Sequence, residues 1–315
     1  MSRRARNAFL VLGAAALALM AIACGTDDNA KSDNDNSGSA VTKEKVTIGI
    51  QDFGESKILA QVYGQALAAD GYQVSYKSLG GFRKLVYPAF ESGDIDLTPE
   101  YVASALEFLN EGKGEATSDV TATAALLRTA LAAKGLVAFE PAPAVDTNAL
   151  VVTKATAEKY SLENISDLAG KDLRLGGPQD CPTNPFCIPG LQKVYDLDMS
   201  KGFTPLDGGG PLTKQALEGS SIDVAVLFST DSSIKDKGWV TLVDDKKLFA
   251  ADNVIPVLTK KLADAGGEEL ETRLDGVSAK ITTEKLLDMN TRFDIDKDDP
   301  EVVAKDFLKS EGLIK

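Results

Sequence analysis

The chain contains no histidine in 315 residues. That removes the commonest general base and the commonest metal ligand. Ser-His-Asp and Cys-His nucleophilic chemistry are excluded with it. Paired carboxylates remain as an enzymatic option, but nothing in the sequence singles out one pair. Positive charge is also in deficit, with 34 basic against 47 acidic residues and a net charge of −13. A surface of that sign repels nucleic acid and anionic lipid headgroups, so neither is expected as a partner. Cysteine is scarce, at positions 24, 181 and 187 only.

What is present begins at the N-terminus. Arg3, Arg4 and Arg6 precede an uncharged run, Ala8–Ala23, that ends in Ala-Ile-Ala-Cys. Basic, then apolar, then small residues is the layout of a secretory signal. A cysteine after the small residues, followed by Gly25, resembles a bacterial lipobox, with Ala21 where leucine is usual. The run has 16 residues, whereas a membrane span needs ~20. Residues 1–23 are therefore read as a signal peptide and Cys24 as the lipidated N-terminus; the rival reading is an uncleaved anchor. Losing residues 1–23 leaves 31 basic against 47 acidic residues, a balance of −16. Residues 24–45 are rich in Gly, Ser, Asn, Asp and Lys, bury almost nothing, and read as a disordered tether. Cys181 and Cys187 then lie six apart in an oxidising compartment, which favours a disulfide. A metal is the rival, and two thiols without histidine make a poor zinc site. No cofactor is expected.

The remaining chain alternates strand and helix patterns. Val46–Gln51 reads as a strand and Ser56–Asp70 as a helix with the stripe Ile58, Leu59, Val62, Ala66 and Leu67. Gly71 is its expected stop. Tyr72, Val74 and Tyr76 alternate with polar residues, a period-two strand. Gly80-Gly81 leads into a second helix, and Ile95–Leu97 begins another strand. Such alternation implies parallel β-α-β units. The unit recurs: Ala89-Phe90-Glu91-Ser92-Gly93-Asp94-Ile95-Asp96-Leu97 aligns without a gap on Ala216-Leu217-Glu218-Gly219-Ser220-Ser221-Ile222-Asp223-Val224, 127 positions later. A glycine cluster precedes each helix. Two α/β lobes of similar construction are expected, residues 46–145 with 252–315, and residues 146–251. A Pro141-Ala142-Pro143-Ala144 crossing and a return near 244–252 would join them. The tail reads as amphipathic helices, Glu284–Phe293 and Glu301–Leu308.

Ligands in open α/β sheets bind beyond the carboxyl ends of the strands. At the repeat offset Tyr101 and Phe228 occupy equivalent strand ends, so one ring from each lobe is expected to face a shared cleft. The competing reading puts Phe228 in the core and Tyr101 on the rim.

Several blocks resemble the osmoprotectant-type solute-binding proteins of ABC importers. They are Asp52-Phe53-Gly54-Glu55-Ser56, Gly93-Asp94-Ile95-Asp96-Leu97-Thr98-Pro99-Glu100-Tyr101, Asp207-Gly208-Gly209-Gly210-Pro211, Ser229-Thr230-Asp231 and Asp252-Asn253-Val254-Ile255-Pro256. The resemblance covers residues 46–315. It implies a bilobal type II periplasmic-binding fold, two parallel-sheet-based lobes on a two-strand hinge. It implies a quaternary ammonium or betaine-type ligand in a cage of rings, whose faces attract the cation. By position Tyr101 matches a cage tyrosine. Phe228 and Asn148 stand where many members have tyrosines, and Asn184 where many have the arginine that meets a ligand carboxylate. Phe53 is either a third ring or a core residue of the first lobe, and Thr230 either a polar contact or a cap on the next helix. Glu55 and Ser56 sit at a helix start where backbone N–H groups can hold an anion, or where Ser56 caps. Arg83 is a substitute carboxylate partner or a solvated helix residue.

The resulting expectation is a monomeric, lipid-anchored, extracytoplasmic binding subunit that performs no chemistry. The chain shows no phosphate-binding loop and no further spanning run, so permease and ATPase are expected on other polypeptides. The alternatives are the same fold with a different small polar solute, a paired-carboxylate extracellular hydrolase, and a ligand-sensing surface protein.

Overall fold

The computed structural model describes residues 43–315. The expected signal peptide, Cys24 and nearly all of the tether lie outside the described residues. Lys45, assigned above to the tether, is already the first residue of a strand. The first stretch runs β1 (Lys45–Ile50), α1 (Gly54–Ala69), β2 (Gln73–Ser78), α2 (Val86–Glu91), β3 (Leu97–Tyr101), α3 (Val102–Leu109), α4 (Val120–Ala132) and β4 (Leu136–Ala138). The second runs β5 (Asn148–Val152), α5 (Lys154–Tyr160), β6 (Leu175–Pro178), α6 (Ile188–Gly190), β7 (Thr204–Leu206), α7 (Pro211–Glu218), β8 (Val224–Phe228), α8 (Ser232–Asp236) and β9 (Val240–Thr241). The chain then returns through β10 (Val254–Thr259), α9 (Lys260–Ser278), α10 (Thr283–Asp294) and α11 (Pro300–Ser310).

These elements build two five-stranded sheets, ordered β2-β1-β3-β10-β4 and β7-β6-β8-β5-β9. Neither is purely parallel. β1, β2 and β3 run parallel, as do β6, β7 and β8, but β10 enters antiparallel to β3 and β5 antiparallel to β8. Each is the strand that follows a crossing, and it arrives from the other lobe in the opposite sense.

Both sheets are covered on both faces, and the alternation of strand residues shows it. In β8, Val224 and Val226 join one core while Ala225 and Leu227 join another. In β10, Val254 and Leu258 face α1 and the C-terminal helices, whereas Ile255 and Val257 face α2–α4. The predicted α1 stripe, Ile58, Leu59, Val62, Ala66 and Leu67, is fully buried. Gly71 ends that helix at φ 92°, a conformation costly for any residue with a Cβ.

The internal repeat is preserved in the fold. β3 ends at Tyr101 and β8 at Phe228, at the same 127-residue offset that relates the ends of α2 and α7. The crossings pair with each other: Val145 bridges Asn253, and the Asp146 amide donates to the Asp252 carbonyl at 3.0 Å. Cys181 and Cys187 are disulfide-bonded, closing the loop after β6. Among the described residues no helix is long and apolar enough to cross a membrane.

Candidate functional site

Four rings meet where the strand ends of the two lobes face each other. Phe53 follows β1 and lies centrally, with ring centroids 6.3 Å from Phe82, 6.1 Å from Tyr101 and 5.5 Å from Phe228. Phe82 stacks on it with an interplanar angle of 8°. Phe53, Phe82 and Tyr101 come from one lobe and Phe228 from the other. The rings line a cleft cavity of about 50 Å³ together with Gln51, Arg83, Asn148, Asp180, Asn184 and Asp252. A neighbouring interlobe groove of about 450 Å³ shares Phe53 and Phe228 in its wall and is otherwise lined mainly by Asp52, Asp207, Asp231, Asp294 and Asp298 with Lys57 and Lys297. The small cavity is the candidate site because all four rings line it. Its size is well below the ~300 Å³ of an ordinary ligand pocket, so admitting a solute requires the lobes to part or Phe53 to move.

Each crossing ends in an aspartate that grips the strand end carrying a ring. Asp252 accepts from the Ala103 and Ser104 amides at 2.8 and 3.0 Å, and from the Ser104 hydroxyl, just after Tyr101. Asp146 accepts from the Thr230 amide and the Ser229 hydroxyl, both at 3.1 Å, just after Phe228. Asp252 precedes Val254, the register partner of Tyr101, by two residues; Asp146 precedes Asn148, the partner of Phe228, by two. The repeat therefore extends to the hinge.

Glu55 is the polar centre behind the rings. Its carboxylate accepts from the Tyr101 hydroxyl at 2.6 Å, the Thr230 hydroxyl at 2.7 Å and the Asn290 amide at 2.6 Å. The Thr230 bond crosses between lobes, and so does Lys214, which bridges Asp231 at 3.0 Å and Asp294 at 3.1 Å. Burial pushes the Glu55 carboxyl up, against these hydrogen bonds. Burial also pushes the Asp146 carboxyl well up, helped by the charge of Glu55 beside it. Asp252 is pushed up to about 6, chiefly by burial.

Tyr101, Phe228, Phe53, Asn148, Asn184 and Arg83 all line the cleft. Asn148 donates its side-chain amide to the Phe186 carbonyl at 3.0 Å, and Asn184 accepts from the Phe186 amide at 2.9 Å, so both asparagines order the disulfide loop. Three other expected residues are engaged elsewhere. Thr230 is 2% exposed and bonded to Glu55. Glu55 is buried, and its carboxyl oxygens accept from Tyr101, Thr230 and Asn290. Ser56 accepts from the Gln51 amide at 3.0 Å. Arg83 is neither solvated nor free: it makes a forked ion pair with the fully buried Glu100, at 2.9–3.1 Å. Burial opposes the Arg83 charge, but Glu100 more than restores it.

Phe82, Gln51 and Asp180 were missed. Gln51 directly follows β1 and Asp180 lies just beyond β6, so the rule that ligands gather at strand carboxyl ends would have found both. Phe82 carries no such signal, because its repeat equivalent is Gly209. Among the described residues no cluster of side chains could hold a metal ion.

Residues 44–310 match the family described as "Substrate binding domain of ABC-type glycine betaine transport system". A glycine-betaine-binding protein of Pseudomonas aeruginosa is 27% identical over 283 residues, covering 86% of this chain and 89% of that one. The ergothioneine transport permease/ergothioneine binding protein of Helicobacter pylori is 27% identical over 284 residues, 87% of this chain; the chain spans about half, 49%, of that relative's length. The crystal structure of a glycine betaine/carnitine/choline ABC transporter matches with a TM-score of 0.66 at 28% identity, over 87% of this chain and 100% of that one. A bilobal periplasmic-binding fold, paired crossings and rings converging from both lobes agree with the sequence match, and the chain belongs to the family of substrate-binding domains of ABC-type glycine betaine transport systems.

Proposed function

We propose that the chain is the lipid-anchored, extracytoplasmic solute-binding subunit of an ABC importer, taking a small quaternary ammonium or betaine-type solute between its lobes. It is a binding protein and not an enzyme. The observation that carries the ligand class is the gathering of Phe53, Phe82, Tyr101 and Phe228 around one cleft. Ring faces attract a quaternary ammonium and pack on its methyl groups, worth up to ~2 kcal/mol per desolvated contact. Closure places Phe228 against Phe53 and Thr230 against Glu55. The closed protein then docks as a monomer on a permease served by a separate ATPase, held near the membrane only by lipid on Cys24. We take residues 46–145 with 252–315 as one lobe and 146–251 as the other.

Calorimetric titration with choline, glycine betaine, carnitine and ergothioneine tests the reading. At least one should bind, and Tyr101→Ala and Phe228→Ala should each weaken it by roughly tenfold or more, the loss of one such contact, with melting curves showing folded protein. Failure of all four solutes, or unchanged affinity in both variants, would overturn it. Intact-mass measurement of the mature chain reads the anchor: a lipid adduct on Cys24 supports it, and a mature chain starting elsewhere rules it out.

A further inference from the structure

The charges in the cleft are unevenly provided with partners. Among the described residues lining it, Arg83 is the one basic side chain, and its fork is occupied by Glu100. No other cation lines the cavity to meet a ligand carboxylate. The acids are differently placed. Asp146 and Asp252 are buried and bonded at the hinge. Asp180 is only half-buried; its backbone carbonyl accepts from the Thr183 and Asn184 amides, but its carboxylate has no hydrogen-bond or ion-pair partner among the described residues. Asp180 lines the cleft and directly precedes the disulfide loop, which is tied at Cys181 and Cys187.

Gln51 is 2% exposed, lines the same cavity, and its Nε2 has no partner among the described residues. A buried amide donor without an acceptor is costly, and a ligand oxygen in the cleft would satisfy it. The cleft thus offers ring faces for a cation, a free carboxylate that attracts positive charge or accepts a hydrogen bond, and a buried donor that seeks an uncharged oxygen. A ligand carboxylate would share the cleft with Asp180 and Asp252, with no unengaged cation lining it to offset them.

We propose that the cleft selects an organic cation bearing an uncharged oxygen, such as an amino alcohol, over a zwitterion bearing a carboxylate, with Asp180 and Gln51 as the residues that set the preference. This rests on the quaternary ammonium reading given above. Choline and glycine betaine make the test pair, because they share the trimethylammonium head and differ in a hydroxyl against a carboxylate. Calorimetric titration of the purified protein should show choline bound at least about tenfold more tightly, a modest difference for one charged group. Asp180→Asn should narrow that ratio, and Asp180→Lys, which supplies a free cation, should reverse it; Gln51→Leu should weaken choline while sparing tetramethylammonium, which has no oxygen. Glycine betaine bound as tightly as choline by the unaltered protein would overturn the proposal while leaving the aromatic-cage reading intact, and that comparison needs no variant to fold. An unchanged ratio in folded Asp180→Asn would overturn the role of Asp180. Absence of binding by choline, glycine betaine and tetramethylammonium alike would overturn the cage reading and this proposal with it.

Discussion

Asp252 shows how one buried carboxyl ties the hinge to solution conditions. Its pKa is about 6 in the folded protein, against a usual value near 3.8. The folded chain therefore holds a proton that the unfolded chain has already released between about pH 4 and pH 6. The Asp252 contribution to stability therefore falls as pH rises through that window and levels off above it. The shift corresponds to about 2–3 kcal/mol. Asp252→Asn keeps an acceptor for the Ala103 and Ser104 amides and removes the titration. Melting temperatures across pH 4–7 should decline less steeply in the variant than in the parent. Parallel declines would mean that the carboxyl does not titrate in that range. Burial raises Glu55 and Asp146 in the same sense, so the difference between the two proteins, not the absolute slope, is the quantity to read. At this scale the sequence was least informative. From the sequence Arg83 reads as a substitute carboxylate partner or a solvated helix residue; its pairing with Glu100 depends on β3 bringing position 100 beside position 83, which no local pattern announces.

Among elements, the glycine cluster before α7 has the clearest mechanical role. A Cβ on Gly208 would lie 2.5 Å from the Phe82 ring, so the lobes approach here closely enough to exclude any side chain. Asp207 fastens the same turn to α7, accepting from the Leu212 and Thr213 amides at 3.0 and 2.9 Å. Gly208→Val should hinder closure at a cost of about 1–3 kcal/mol, the range for overpacking a tight contact. That lowers ligand affinity by about five- to a hundredfold and enlarges the radius of gyration measured with saturating solute. The melting temperature should hardly move, since each lobe keeps its own core. Retained affinity and an unchanged radius would show that Phe82 swings aside at no cost. The element pattern was well read from the sequence where periodicity is strong: α1, β2 and the repeat-related strands fall within a few residues of their expected places. α3, α4 and β10 were not foreseen. β10 carries an apolar run suited to a doubly covered strand, and nothing local says that it returns to the first sheet.

At the scale of the whole molecule, the two sheets differ in how the chain assembles them. All five strands of the second come from one continuous stretch, β5 to β9, whereas the first needs β10 inserted between β3 and β4. The family was legible because its motifs sit at strand ends, which this topology fixes; the ligand was not, because Gln51, Phe82 and Asp180 acquire meaning only once both lobes meet. The split sheet also has a consequence for folding order. Tyr101 and Val254 are register partners 153 residues apart. Joining them from the unfolded chain closes a long loop. Once the second lobe has formed, its ends lie together where the Asp146 amide meets the Asp252 carbonyl at 3.0 Å. The remaining loop is about a third as long, which saves about 1 kcal/mol of closure entropy. Pulse-labelled hydrogen exchange should find β5 and β8 amides protected before those joining β3 to β10, and simultaneous protection would deny the order. The first lobe to leave the ribosome is then the last to be finished, waiting for a strand that the chain supplies only after its neighbour is complete.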